Sequence, residues 1–230
     1  VHHTVATSVY KTLRYSFEKD FAPITTVALV PNVMTVSAKS PYNSAKDVIA
    51  AGKANPDKLS YASTGNGTIS QMWAELFKTS TGTKMTHVPY KGSAQALTDV
   101  VGGQVELIFD AYPTAYPLIE SGKLRALGVS SKNRLATLPQ VPTIAESVPD
   151  YQAIVWYGLV VAKNTPEPIA AKLKSAIDKV LVDPAFKASM AKMGFEPGAP
   201  MNPQQIQQYI DSENQRWSTV IKAQNIQLEN

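Results

Sequence analysis

The sequence has no cysteine among its 230 residues. This absence excludes disulfide scaffolds, cysteine-ligated zinc, iron–sulfur clusters and thiol nucleophiles. The sequence also lacks an apolar run of the roughly 18–20 residues that a membrane-crossing helix requires. Its longest mostly apolar stretch, residues 24–36, is interrupted by Pro31, Asn32 and three threonines. We therefore do not expect the chain as given to be an integral membrane protein.

A concentrated basic surface is also missing. Lysine and arginine number 22 against 18 acidic residues, which gives a net charge of +4, and acidic residues interrupt even the most basic stretch, residues 163–192. Nucleic-acid-binding proteins concentrate positive charge in patches, so the sequence does not predict a nucleic-acid partner. A modest positive field suits a small anionic ligand. Hydrophobic residues make up 44% of the chain, which is enough to bury a core.

Short β-rich runs alternate with amphipathic segments in the middle of the chain. This alternation predicts mostly parallel sheets covered by helices. The strands are predicted at residues 59–62, 85–88, 105–109 and 124–129, and the helices at residues 69–79, 93–101 and 116–121.

Two long apolar runs, Ile24–Ala38 and Ile154–Ala162, have the length of strands that cross between two lobes. The residues after the second run are predicted to be helical, because apolar residues recur there at helical spacing. The sequence therefore predicts an α/β protein with two lobes. Residues 1–34 and 156–230 form the first lobe, and residues 35–155 form the second, inserted lobe. A cleft between lobes is a common place for a ligand.

A loop rich in glycine and hydroxyl groups follows the first predicted strand of the second lobe. Its six residues are Ser63, Thr64, Gly65, Asn66, Gly67 and Thr68. Glycines let the backbone approach a ligand closely, and the next helix offers free N–H groups and a positive dipole end. The loop lacks the Gly-Lys-Ser/Thr of a P-loop and the third glycine of a dinucleotide fingerprint. It is a candidate carboxylate site, and the alternative is an ordinary turn that binds only water.

Other candidate ligand contacts follow neighbouring strands or lie in the second crossing strand. Tyr90 could donate a hydrogen bond or stack on a ligand, or it could be a partly buried core residue. Asp110 could hold an ammonium, a hydroxyl or water, or it could cap a turn. Trp156 and Tyr157 alternate along a strand, so one of them could line the cleft while the other packs in the core.

Metal binding and catalysis find little support in the sequence. His2 and His3 are adjacent, so their side chains point apart on an extended chain, and no metal site is predicted. A Ser–His–Asp triad could be drawn through Ser63, His87 and Asp110. However, the sequence has no Gly-x-Ser-x-Gly nucleophile elbow, and His87 is expected to be a buried structural residue. We predict no catalytic residue and no enzyme activity.

Several segments, taken together and in order, resemble the receptors of tripartite tricarboxylate transporters, the Bug family of periplasmic solute-binding proteins. The resemblance covers essentially the whole chain, and its specificity comes from the order of the motifs rather than from any one of them. The matching segments are Asp20–Ile24, Tyr61–Thr68, His87–Gly92, Asp99–Val105, Gly122–Leu127 and Pro142–Glu146.

The resemblance implies a Venus-flytrap fold of the type II periplasmic-binding-protein class, with two α/β lobes that close on a small carboxylate. It implies a periplasmic location, no catalysis, no cofactor, and a partner formed by the membrane subunits of a tripartite transporter. It places the carboxylate at loop 63–68, with Tyr90 and Asp110 nearby and His3 approaching from the first lobe. Which carboxylate binds is not predicted.

The sequence departs from the family pattern in two places. Many relatives carry a histidine just after the glycine loop, where this chain has Gln71. Relatives also begin with a signal peptide and a strand–loop–helix segment whose loop supplies the first-lobe half of the carboxylate site. We expect this sequence to start partway through the first lobe. The ligand site would then be incomplete, and an exposed sheet edge would favour self-association.

Two other function classes stay open. An effector-sensing domain of a transcription regulator has a similar two-lobed fold, but no basic recognition helix is visible in this sequence. A serine hydrolase would use Ser63 and His87, and it is the weaker alternative because the sequence signature of such enzymes is missing.

Overall fold

The structure is a computed structural model that describes residues 15–56 and 58–223. The chain divides into two compact units. The inserted unit is the continuous segment Pro31–Ile154, and the terminal unit combines Val1–Val30 with Val155–Asn230. Within the described residues, none of the helices has both the length and the apolar character needed to cross a bilayer.

Strands and helices alternate through the first two thirds of the chain. In chain order, the elements are α1 (Phe17–Asp20), β1 (Phe21–Ser37), α2 (Ala45–Ala54), β2 (Ser60–Ser63), α3 (Ile69–Thr81), β3 (Thr86–Pro89), α4 (Ser93–Gly102), β4 (Leu107–Ala111), α5 (Tyr112–Glu120) and β5 (Leu124–Val129). A single 3₁₀ turn, Ile144–Glu146, precedes the return to the terminal unit.

The last third of the chain is mainly helical. Its elements are β6 (Ile154–Ala162), α6 (Glu167–Val182), α7 (Pro184–Lys192), the two-residue strand β7 (Glu196–Pro197) and α8 (Pro203–Ala223). The side chain of Asn202 accepts the Gln205 N–H at 2.8 Å, so it caps the N-terminus of α8.

The sheet of the inserted unit has the strand order β3-β2-β4-β1-β5. β2 is parallel to both β3 and β4, as expected for strands joined through helices. β1 lies between β4 and β5 and is antiparallel to both. The sheet is therefore mixed, and the expected parallel arrangement applies to the strands joined by helical crossovers. The sequence pattern does not reveal that β1 is antiparallel to its neighbours, because a buried central strand can be apolar throughout in either direction.

Several predicted boundaries differ from the observed ones by one to four residues, including those of α5 and β4. The helix expected at residues 116–121 begins four residues earlier, at Tyr112, since Pro113 is tolerated in the first turn of a helix. The strand expected at residues 105–109 instead covers Leu107–Ala111, so Asp110 lies within the strand.

Large side chains fill the core of the inserted unit between the sheet and its helices. Trp73 and Phe77 of α3 are fully buried, and the Phe77 ring lies 5.4 Å from the ring of Phe109 on β4. Tyr151 is also fully buried, and its hydroxyl donates to the Trp73 carbonyl at 3.0 Å. Burial of side chains of this size provides about 1.5–3 kcal/mol each, which holds α3 and the loop before it on the sheet.

The two ends of the inserted unit are joined by a side chain. Asn32 is fully buried in β1, and its amide donates to the carbonyl of Ala153, 121 residues later. The main-chain carbonyl of Asn32 accepts the Ser130 N–H at 3.0 Å. The side-chain NH₂ group of Asn32 is therefore bonded, whereas its buried side-chain oxygen has no hydrogen-bond partner among the described residues.

The terminal unit has a smaller core. Trp156 is 6% exposed and packs edge-on against the ring of Tyr209 at 5.7 Å, beside Ile206 and Ile210 of α8. Tyr157 is 55% exposed, so the alternation predicted for these two neighbours is confirmed. Among the described residues, the large hydrophobic side chains that remain exposed belong to this unit. They are Tyr157, Leu159, Val160, Ile169, Leu173, Val180, Val182 and Met193.

One ion pair outside the sheet leads to a pH prediction. Glu146 accepts two hydrogen bonds from the Arg134 guanidinium, at 2.7 and 2.9 Å, and a third from the Thr143 N–H at 2.9 Å. These contacts, the Arg134 hydrogen bond foremost, lower the pKa of Glu146 to about 2. The contribution of Glu146 to stability is therefore present above pH 4.5, its ordinary pKa, and is lost as the pH falls through about 2.

We expect Glu146→Gln to reduce the loss of melting temperature between pH 5 and pH 2, because the variant has no carboxylate to protonate. Thermal unfolding followed by circular dichroism at several pH values measures this slope. Glu120→Gln, at another exposed position, is the control and should retain the wild-type slope. Equal slopes in the wild type and the Glu146 variant would contradict the prediction.

Candidate functional site

The glycine loop connects β2 to α3 in the inserted unit. Gly65 has φ of +136° and Gly67 has φ of +68°, which are backbone conformations that residues with a side chain rarely adopt. A Cβ atom on Gly65 would also lie 3.3 Å from the carbonyl oxygen of Tyr90. The loop therefore depends on glycine at both positions, as the sequence indicates.

The first turn of α3 is left without a side-chain cap. Thr68 is the N-cap residue, but its hydroxyl donates to the Gly65 carbonyl at 2.7 Å instead of accepting an amide of the helix. α3 is 13 residues long and has no acidic residue in its first turn. Its N-terminus consequently presents backbone N–H groups and a positive dipole end, a combination that suits an anion.

Gln71 supplies a contact that sequence reasoning did not specify. Its side-chain oxygen accepts the N–H of Gly67 at 2.6 Å. This bond links the first turn of α3 back to the loop and helps to hold the left-handed conformation at Gly67. The sequence identifies Gln71 as a departure from the family pattern, and the fold shows that it reaches the amide of Gly67.

Ser63 holds the loop from the end of β2. It is fully buried, and its hydroxyl oxygen accepts the Gly65 N–H at 3.2 Å. The hydroxyl also lies 3.1 Å from the Gly65 carbonyl, to which it can donate, and 2.6 Å from Nε2 of His87. Ser63 therefore connects the loop to β3, while the hydroxyls of Thr64 and Thr68 are partly exposed.

His87 is half-buried on β3 and is held by its neighbours. Its ring stacks on Tyr61 with 4.9 Å between centroids. The Tyr61 hydroxyl donates to Glu75, which forms an ion pair with Lys78 at 2.9 Å. Burial lowers the pKa of His87, the negative charge of Glu75 opposes this effect, and Lys78 reinforces it. Neutral imidazole is therefore favoured near neutral pH.

Tyr90 contacts the loop through its backbone rather than through its hydroxyl. Its N–H donates to the Ser63 carbonyl at 3.0 Å. Its hydroxyl donates to Asp99 of α4 at 2.8 Å. Partial burial and the Asp99 carboxylate together raise the pKa of Tyr90 to about 12. The ring is half-buried against the core of the inserted unit, so the hydroxyl is directed to α4.

Asp110 is a structural residue in this geometry. Its carboxylate is buried and accepts hydrogen bonds from the hydroxyls of Ser93 at 2.9 Å and Thr114 at 2.7 Å. It thereby joins the first turns of α4 and α5 to β4. Among the described residues no hydrogen bond joins Asp110 to His87, so the contacts of a Ser–His–Asp triad are present only between Ser63 and His87.

The remaining candidates lie elsewhere. Trp156 belongs to the core of the terminal unit rather than to the loop. His3, like His2, lies outside the described residues. Within residues 15–56 and 58–223, no group of three or more histidine, aspartate or glutamate side chains could hold a metal ion.

Asp110 gives a prediction about stability. Burial raises the pKa of its carboxyl above the ordinary 3.8, against the lowering effect of the two hydroxyls. Its favourable contribution is thus fully present below pH 3.8 and is lost as the pH rises through its folded-state pKa. The free energy of unfolding of Asp110→Asn, which stays neutral, should therefore increase relative to that of the wild type as the pH rises from 4 to 8.

Asp110→Ala is the matched control for this prediction. It also removes the charge, but it leaves the Ser93 and Thr114 hydroxyls without their acceptor, so it should be about 1–3 kcal/mol less stable than Asp110→Asn. Urea unfolding at pH 4, 6 and 8 measures both differences. A constant difference between Asp110→Asn and the wild type across this range would contradict the assignment of the raised pKa.

Comparisons with known proteins agree with the geometry of a binding protein. Residues 1–226 match the family model described as "Tripartite tricarboxylate transporter family receptor". BugT of Bordetella pertussis is 32% identical over 225 residues, which cover 97% of this chain and 69% of that protein. The chain spans between 63% and 69% of the length of three curated relatives that it matches.

Two solved structures extend the comparison. R. palustris Rpa4515, solved with adipate, is 36% identical with a TM-score of 0.81, and the match covers 96% of this chain and 74% of that one. MatC (Rpa3494) from Rhodopseudomonas palustris, solved with bound malate, is 28% identical with a TM-score of 0.77, and the match covers 95% and 76%. The α/β fold of these proteins is the one predicted from the sequence. The chain belongs to the receptor family of the tripartite tricarboxylate transporters.

Proposed function

We propose that this chain is part of an extracytoplasmic solute-binding receptor, which captures a small carboxylate in the periplasm and delivers it to the membrane subunits of a tripartite transporter. The observation that carries the proposal is the glycine loop 63–68 in front of an uncapped helix N-terminus. Adipate and malate, present in two related structures, are both small dicarboxylates. This agreement between ligand class and loop geometry supports a carboxylate rather than a phosphate.

The loop can recognise a carboxylate without any covalent step. Carboxylate oxygens accept hydrogen bonds from backbone N–H groups, and the helix dipole adds about 0.3–1 kcal/mol at an exposed site. Thr64 and Thr68 belong to the same loop and are half-buried. Because a delivered ligand must leave unchanged, the proposal includes no catalytic residue and no cofactor.

A hydrolase would use the close contact between Ser63 and His87, and this contact is the one observation in its favour. However, Ser63 is fully buried, and its hydroxyl already bonds the loop backbone. A nucleophile must reach its substrate, so the arrangement supports a structural pair. We expect no covalent labelling of Ser63 by a serine-directed phosphonate, as measured by intact-protein mass spectrometry.

Binding can be tested by thermal shift with adipate, malate, citrate and benzoate. A ligand at a hundred times its dissociation constant stabilises the folded state by about 2.7 kcal/mol. For a chain of this size that corresponds to roughly 5–10 °C in melting temperature. A shift with at least one carboxylate is the expected result. No shift with any of them, in this chain or in a longer form that contains it, would contradict the proposal.

Substitutions at two glycines locate the site. Gly67→Ala should weaken carboxylate binding by roughly tenfold, because a methyl group obstructs the backbone amides of the loop. Gly82→Ala is the matched control, since Gly82 ends the same helix with the same φ of +68° and has no atom within 4 Å of an added Cβ. Both variants strain the backbone by about 1–2 kcal/mol, and only the first should change affinity.

Isothermal titration calorimetry with the carboxylate that gives the largest thermal shift measures both affinities. Equal affinities in the two glycine variants would remove loop 63–68 from the ligand site and leave the receptor assignment to other surfaces of the chain.

A further inference from the structure

We infer that His87 is a positioning residue for the carboxylate loop, which acts through the hydroxyl of Ser63 and does not touch the ligand. This inference rests on the proposed function. It assigns a role to the contact between Ser63 and His87 that solute binding by itself does not explain.

The parallel register of β2 and β3 creates the contact. Tyr61 pairs with His87 across the two strands, and Ser63 pairs with Pro89. Side chains two residues apart on a strand share one face, so Tyr61 and Ser63 lie on the same side of β2. His87 therefore lies beside the Tyr61 ring, and the Ser63 hydroxyl lies next to it toward the C-terminal ends of the two strands. A shift of one residue in this register would separate all three side chains.

Ser63 transmits the position of the imidazole to the loop. Its oxygen accepts the Gly65 N–H at 3.2 Å and lies 3.1 Å from the Gly65 carbonyl. A serine hydroxyl rotates freely unless a partner fixes it. His87 Nε2, 2.6 Å away, supplies that partner, and either atom can provide the shared proton, depending on the imidazole tautomer. The two peptide groups on either side of Gly65 are thus fixed through two side chains.

The imidazole itself is held by the ring of Tyr61. The two rings are stacked and nearly parallel, at an interplanar angle of 17°. The Tyr61 hydroxyl is bonded to Glu75, and Lys78 both pairs with Glu75 and lies 5.6 Å above the Tyr61 ring. Glu75 and Lys78 are the charged groups that act on His87, and both belong to α3. Helix α3, which follows the loop, therefore also orients His87, the residue that holds the loop.

Two substitutions at His87 separate hydrogen bonding from packing. His87→Phe keeps an aromatic ring against Tyr61 and removes the nitrogen that contacts Ser63. His87→Gln loses the ring but can place an amide group near the position of Nε2. If His87 acts through its hydrogen bond, the phenylalanine variant should bind adipate or malate about fivefold more weakly, and the glutamine variant should bind nearly as the wild type does.

Ser63→Ala completes a double-mutant cycle with His87→Phe. Ser63→Ala removes the bond to His87 and also the contacts of Ser63 with Gly65, so the double variant should bind about as weakly as Ser63→Ala alone. Affinity is measured by calorimetry and melting temperature by circular dichroism, because a purely structural histidine would change only the second. Unchanged affinity in His87→Phe with a lowered melting temperature would overturn the inference, and so would fully additive losses in the double variant.

A readout that needs no ligand keeps this test separate from that of the proposed function. In ¹H–¹⁵N correlation spectra, the Gly65 amide should move in His87→Phe and stay near its wild-type position in His87→Gln, with the Gly82 amide as an internal reference. If the wild type binds no carboxylate, the proposed function fails, and the Gly65 amide alone decides the role of His87. An unmoved Gly65 amide in His87→Phe would overturn the inference.

Discussion

The structure depends on one long strand that belongs to both units. β1 covers Phe21–Ser37 and continues across the boundary between Val30 and Pro31. Its second half is buried and accepts neighbours on both edges, β4 and β5, while its first half pairs with β6 and β7. A central strand contributes hydrogen bonds on two sides, so an error in its register would disturb both neighbours at once.

The glycine loop takes its position from this sheet. β1 pairs with β4, β4 pairs with β2, and β2 pairs with β3. The end of β2 then fixes where Ser63 begins the loop, and the end of β3 brings the Tyr90 backbone against it. The short polar contacts of the loop, including the one from Gln71, act on a chain that the sheet has already placed. Preorganisation of this kind spares binding the cost of ordering a flexible loop.

Much of this arrangement could be predicted because it is local. The glycine loop is visible as small residues between a strand and a helix, and the alternation of Trp156 and Tyr157 follows from the period of a strand. The antiparallel insertion of β1 and the contact between Ser63 and His87 are not local. The position of β1 depends on which strands it joins in the sheet. The contact between Ser63 and His87 depends on the pairing of residues 24 positions apart. Likewise, the partners of Asp110 lie on two helices whose packing no single segment encodes.

The bond from Asn32 to Ala153 has a consequence for the order of folding. Strands β1 and β6 pair with each other in the terminal unit. The 124 residues of the inserted unit, Pro31–Ile154, lie between the two paired segments in the sequence. Closing a flexible loop of that length is entropically costly, and contacts across it form slowly. Once the inserted unit has folded and Asn32 holds Ala153, the two exits of the chain are already adjacent. Folding of the inserted unit would thus bring together two strands that are far apart in the sequence.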